Sequence, residues 1–408
     1  MHSLSADHHV FINLSNSKIY CLPDGYEVED SSLADIKYVH DPSYTAEQIR
    51  SLDEKKSLEQ VQCLSLDGQR YFPGVVGLNN IKSNDSMNVI LLAILHVAPI
   101  RDFFLSPSNY QQCKSALVAE MGLFCRKLWN ARNFKSHISP HEIFQAISVA
   151  SKKKFMLGNA CDPLAFVTWL LNRIHEDLSQ QSKTTVIDQA LRGRLQVTVE
   201  KDLRTPEEIK NGVVEKTVKT STKKIPFLFL TVDITEAPLF KNDVEGNIIP
   251  QAPLVTLLQK FNGEQWQDLP VQGERRKHKI LSLPKYLIFH LKRFTENRFF
   301  KEKNPTIVTF PVQNLNMEEC NLTKFSFPSF SNNHSCLVVE NVENKPQKYD
   351  LVASITHNGT IEKGFYTIFI RQKSIDKWFE VKDLDVVEVS AQKVAVSEAY
   401  IQIWEHQN

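Results

Sequence analysis

The chain has 408 residues, 42% hydrophobic and 23% charged, with a net charge of +1 and seven cysteines. That length and composition describe a globular chain able to bury a large core, in one large or two unequal domains. The near-zero charge supplies no global field toward RNA. No apolar run approaches the roughly 20 residues of a membrane span, and the odd, widely spaced cysteines predict reduced thiols rather than disulfides.

In chain order, MHSLSADHHV lacks the basic and apolar regions of a secretory leader, and FINLSNSKIY (11–20) alternates like two short strands. His2 and His8 are candidate metal ligands, but with only the distant Cys21 beside them they fall short of the four donors zinc takes; no metal or other cofactor is expected. Residues 46–72, with AEQIRSLDEKKSLEQ, read as a linker holding one short amphipathic helix. From 77 to about 185 the pattern is mainly helical. Asp85, ahead of the apolar run SMNVILLAILHV, reads as a helix N-cap whose carboxylate accepts orphan backbone amides. From 186 to about 280 short alternating segments follow, such as LRGRLQVTV and IPFLFLTVDI, without a cysteine between Cys161 and Cys320. From 281 onward YLIFHLKRF, IVTFP, YDLVASI, FYTIFIR and AYIQIW predict an antiparallel sheet. Basic clusters at 152–154, 219–224 and 275–279 read as solvated faces; RRKHK (275–279) also fits a weak nuclear-import signal.

Several segments resemble one family, the ubiquitin-specific proteases (peptidase C19). GLNNIKSNDSMN from Gly77 is similar to its nucleophile box, G-L-x-N-L-G-N-T-C-Y-M-N, with Asp85 in the place of the cysteine. CDPLAFVTWLLNRIH (161–175), LPKYLIFHLKRF (283–294) and AYIQIW (399–404) resemble three further boxes in the family's order. YDLVASITHNG (349–359) leads to Gly364-Phe365-Tyr366 where the family has Gly-His-Tyr. After Trp378 the orienting position holds Lys382, with Asp383 next. The resemblance implies an α+β fold of thumb (about 77–185), fingers (about 186–280) and palm (about 281–408). Together these would form a protease-like domain over 73–408, preceded by the remnant of a zinc-finger ubiquitin-binding domain over 1–45.

It also implies what is missing. The family's hydrolysis needs a thiolate, an imidazole and a group that orients the imidazole. Asp85, Phe365 and Lys382 supply none of these, and Asn80, which aligns with the family's oxyanion donor, has no intermediate to stabilise. Phe365 is expected to fill the imidazole's space in the core, and His357 aligns with a non-catalytic histidine. The segments HHVFINL, RKLWNARNFKSHISPHE and SEAYIQIWE resemble an inactive branch that serves pre-mRNA splicing in the spliceosomal tri-snRNP. A nuclear pseudoenzyme with tri-snRNP protein partners is therefore implied. A non-catalytic binder of ubiquitin or a ubiquitin-like protein, and a residual hydrolase, stand as alternatives, and direct RNA contact is left open.

Overall fold

A computed structural model describes residues 7–14, 16–182, 184–202, 218–234, 250–269, 273–296, 301–320, 347–361 and 363–407. Near the N-terminus β1 (His9–Ile12) and β2 (Ile19–Leu22) pair antiparallel, as the alternation of FINLSNSKIY predicts, and β3 (Tyr26–Glu27) completes a small sheet.

The stretch 46–72, read as a linker with one short helix, contains two α-helices, Ala46–Arg50 and Leu58–Val61, and is docked rather than loose. Ile49, Leu52 and Cys63 pack on the main core, as does Tyr44 just upstream, whose hydroxyl donates to the Arg126 carbonyl at 3.0 Å. Asp53 meets Arg101, a side chain only 3% exposed, through two bonds of 2.7 and 3.0 Å. Sparse apolar residues point to a tether, yet three or four of them on one side suffice to seat a short segment on a large core.

The helical layer comprises α1 (Asp85–Leu95), α2 (Ala98–Leu105), α3 (Ala116–Leu128), α4 (His141–Ala150), α5 (Pro163–Ser179) and α6 (Val186–Leu191). After Asp85 every residue of α1 is buried, as an all-round apolar helix requires. Ser115, Asp162 and Thr185 cap α3, α5 and α6 with side-chain acceptors. None of the described helices is long and apolar enough to cross a membrane alone.

The fingers are a four-stranded sheet in the order β7 (Gln267–Asp268), β8 (Glu274–Ser282), β4 (Gly193–Asp202), β5 (Val218–Phe227). The palm is an eight-stranded sheet. Its order is β6 (Leu230–Asp233), β9 (Tyr286–Lys292), β15 (Ala399–His406), β11 (Lys348–Gly359), β12 (Gly364–Gln372), β13 (Lys377–Lys382), β14 (Asp385–Val389), with β10 (Leu315–Asn316) added to β11. Its pairs are antiparallel except at one edge, where β6, drawn from the IPFLFLTVDI segment, lies parallel to β9. A strand of four residues carries no signal of which sheet it joins.

Two core layers flank the palm. On β9, Tyr286 and Ile288 face the helices while Leu287, Phe289 and Leu291 face the opposite layer with Trp404 and Tyr349. Both faces being covered explains why YLIFHL reads as one continuous apolar run.

Candidate functional site

Three chain segments meet at the thumb–palm junction. Gly77–Leu78 pairs parallel with His137–Ile138, and the Leu78 N–H donates to the Asp383 carbonyl at 2.8 Å. Only glycine fits at 77, because a Cβ there would sit 2.7 Å from Leu384 Cα. This contact brings the Asn80–Asp85 segment beside the turn at Asp383, whose φ is +51°.

Asp85 is the first residue of α1 rather than its N-cap. Asn84 holds the cap position, and its fully buried Oδ1 accepts the Gly158 N–H at 2.7 Å instead of a helix amide. The Asn84 N–H in turn donates to Asn80 Oδ1 at 2.9 Å. With its own helix uncapped by side chains, Asp85 reaches outward, and Oδ2 accepts the backbone N–H of Tyr366 on β12 at 2.7 Å. The residue expected to cap a helix thus ties the thumb to the palm.

Phe365 departs from expectation as well. It is 37% exposed rather than packed in the core, and the Lys382 ammonium lies 4.2 Å from its ring centroid. β12 turns Phe365 toward solvent while Tyr366 turns inward. So Asp85, Phe365 and Lys382 converge, but as a hydrogen bond and a cation–π pair. Asn80 also donates to Asp383, whose carboxyl is pushed above the usual range chiefly by burial, against that hydrogen bond.

Among the described residues, the histidine nearest in sequence pairing is His357, opposite Tyr366 on β11, with ring centroids 4.9 Å apart. It is buried, and desolvation first, then the Lys303 charge, lowers its pKa to about 4. Gly364 packs so closely that a Cβ would lie 2.2 Å from His357 Nε2. The Ser86 hydroxyl lies 3.4 Å from the Cys161 thiol, the cysteine closest to Asp85 in these contacts. Burial raises the Cys161 pKa, the opposite of what activates a thiol nucleophile.

The sequence gives no sign of Tyr366 as the partner of Asp85, nor of Tyr400, whose hydroxyl donates to Asp162 at 2.7 Å. Asp162 stands before Pro163, a capping signal visible in the sequence, but its second partner lies 238 residues away. Beside this junction opens a cavity of about 730 Å³, whose wall includes Asp162, Phe229, His290, His357, Tyr366 and Tyr400.

At the N-terminus His8 Nε2 lies 3.2 Å from Asp24 Oδ2, Cys21 is buried in β2, and His2 falls outside the described residues. Among the described residues no three His, Cys, Asp or Glu side chains are grouped to hold an ion.

The family profile described as ubiquitin carboxyl-terminal hydrolase matches residues 76–404, and that of the zinc finger in ubiquitin hydrolases and other proteins matches residues 1–33. The chain belongs to the ubiquitin carboxyl-terminal hydrolase family. Ubiquitin carboxyl-terminal hydrolase 39 of Mus musculus is 40% identical over 428 residues, spanning 100% of this chain and 72% of the relative. The probable mRNA-splicing protein ubp10 of Schizosaccharomyces pombe is 37% identical, across 99% of this chain and 78% of its own length. The pre-mRNA-splicing factor SAD1 of Saccharomyces cerevisiae is 26% identical, across 100% and 83%.

Among solved structures, an essential yeast splicing factor superposes with a TM-score of 0.71 at 24% identity, covering 100% of this chain and 87% of that one. The SAGA Ubp8 module bound to ubiquitin aldehyde gives 0.61 at 19%, covering 100% and 83%. Both likenesses carry the hydrolase fold with its thumb, fingers and palm, and the finger profile at 1–33 adds the partial zinc-finger module in front of it.

Proposed function

We propose that this chain is a catalytically inert member of the hydrolase family that serves as a scaffold in pre-mRNA splicing, in the nucleus, within the tri-snRNP. The splicing role is supported by the two fungal relatives named for splicing, which align along essentially the whole chain. Inertness rests on one observation above the rest, the 2.7 Å bond from the Tyr366 N–H to Asp85. A carboxylate is a weak nucleophile to begin with, and this one is held as an acceptor, with Phe365 and Lys382 at the positions of base and orienter. Loss of a single triad member costs roughly 10⁴ to 10⁶ in rate, so three losses leave no hydrolase.

The reading is tested in two assays. Purified protein should neither cleave ubiquitin conjugates nor label with a thiol-reactive ubiquitin probe. Depletion of the protein should impair splicing, and the unaltered chain should restore it with tri-snRNP components co-purifying. Probe labelling at Cys161 would refute inertness; rescue without tri-snRNP association would refute the placement.

A second reading, non-catalytic binding of ubiquitin or a ubiquitin-like protein, is favoured by the cleft itself. The cavity between palm and fingers stays open, although the chemistry beside it is gone. Titration of labelled ubiquitin and ubiquitin-like proteins decides it, with substitutions at the cavity wall such as His290→Ala as the control.

A further inference from the structure

The finger sheet carries a feature separate from the cleft and independent of any role in splicing. Its four strands hold nine basic and four acidic side chains, in a chain whose net charge is +1. Part of that excess is neutralised within the sheet: Arg275 meets Glu200 at 2.7 Å, and Lys201 meets Glu274 at 3.0 Å. β5 differs. It reads VKTSTKKIPF, with Lys219, Lys223 and Lys224, no acidic residue, and no ion pair to these lysines among the described residues.

The strand is also open. Nine of its ten residues are exposed, and only Phe227 is buried. Its inner edge pairs with β4 without a break from Gly193↔Phe227 to Asp202↔Val218, while no described strand lies on its outer edge. Among the described residues, alternate backbone N–H and C=O groups along that outer edge therefore have no sheet partner. The sole proline, Pro226, comes ninth and leaves the preceding length usable.

Lysines on an edge strand ordinarily guard it against pairing. That guard discriminates by sign. A second copy of β5 would set lysines against lysines, whereas an acidic strand is attracted and its backbone satisfied together. Lys219 and Lys223 project from one face with Ser221 between them, and Lys224 from the other. A single-stranded nucleic acid would answer the charge but not the open backbone groups, and those decide for a peptide. We propose that β5 is the docking edge for an acidic, extended peptide of a partner protein, which adds to the fingers as a fifth strand.

The test uses the full chain and a fluorescent ten-residue peptide alternating Glu with Thr and Val, read by anisotropy at low salt, alongside amide hydrogen exchange. Saturable binding is expected, with slowed exchange across Val218–Phe227. The variant Lys219→Glu/Lys223→Glu/Lys224→Glu should bind the acidic peptide at least about ten-fold more weakly, keep its melting temperature, and gain affinity for the same peptide with Lys in place of Glu. An equally acidic peptide with Pro at alternate positions should not bind, since it cannot donate to the edge. The proposal fails if the proline peptide binds as well, if exchange at β5 is unchanged, or if an oligouridylate binds while the acidic peptide does not.

Discussion

Asp85 Oδ2 spends its lone pairs on the N–H of Tyr366, at 2.7 Å, across the boundary between thumb and palm. Hydrogen bonds to charged groups contribute about 1.5–3 kcal/mol, and a carboxylate in the first turn of α1 adds a favourable interaction with the helix dipole. Asp85→Ala should therefore cost about 2 kcal/mol, measured by denaturant unfolding, whereas Asp85→Asn keeps an acceptor and should cost under about half of that. Asp85→Cys should show no turnover of a fluorogenic ubiquitin substrate, because a thiol with no base beside it stays protonated at neutral pH. Detectable turnover in that single variant would mean that another side chain serves as the base. Phe365, exposed beneath Lys382, predicts the contrasting outcome. Truncation to Ala should cost no more than about 1 kcal/mol, where a core phenylalanine would cost about 3–5.

At the scale of elements, the 46–72 stretch holds the fold from outside. Asp53 meets Arg101 in the thumb, the Arg101 guanidinium lies 4.8 Å from the Trp129 ring centroid, and Lys373 on the palm side approaches Asp53 at 4.0 Å while pairing with Glu405. Burial alone would raise the Asp53 pKa, but the Arg101 hydrogen bonds and charge outweigh it, and the group ends below its ordinary value. Removing Asp53 leaves Arg101, 3% exposed, with Asp102 as its one ion-pair partner among the described residues. Breaking a fully buried pair costs about 3–5 kcal/mol; Asp53 is 32% exposed, so solvent screening reduces Asp53→Ala to about 2 kcal/mol. A chain beginning at residue 73 would uncover the core beneath Ile49, Leu52 and Cys63. It should melt several degrees lower and bind a hydrophobic dye, an outcome a free linker would not give.

At the scale of the molecule, four histidines among the described residues sit where burial pushes their pKa down to about 4: His96, His278, His290 and His357. Unfolded, each titrates near 6.5. Between those values the unfolded chain binds more protons than the folded one, so stability falls as pH drops from about 6.5 toward 4, by at most about 1.4 kcal/mol per pH unit for each group. His278, only partly buried, contributes less. Melting temperatures recorded from pH 7.5 to 4.5 should be flat at the top of that range and decline steeply below pH 6.5. Chelators should leave the melting temperature unchanged at every pH, since no described cluster links metal to folding.

The mixed helix and strand pattern, the order of the segments that resemble the family's boxes, and Asp85, Phe365 and Lys382 at the positions that the resemblance assigns to the triad were legible in the sequence, because a segment such as LPKYLIFHLKRF is local and each departure is a fact of one residue. β1 and β2 were legible for the same reason, as two short apolar segments set either side of a polar stretch are a local signal. Distance in sequence set the limit. Tyr366 lies 281 residues from Asp85 and Tyr400 lies 238 from Asp162, and no periodicity encodes a partner so remote. Whether Phe365 faces core or solvent depends on how β12 is set between β11 and β13, and a one-residue difference in phase reverses it. The seat of the 46–72 stretch and the sheet that β6 joins were likewise decided only when the folded core offered them an apolar surface to cover.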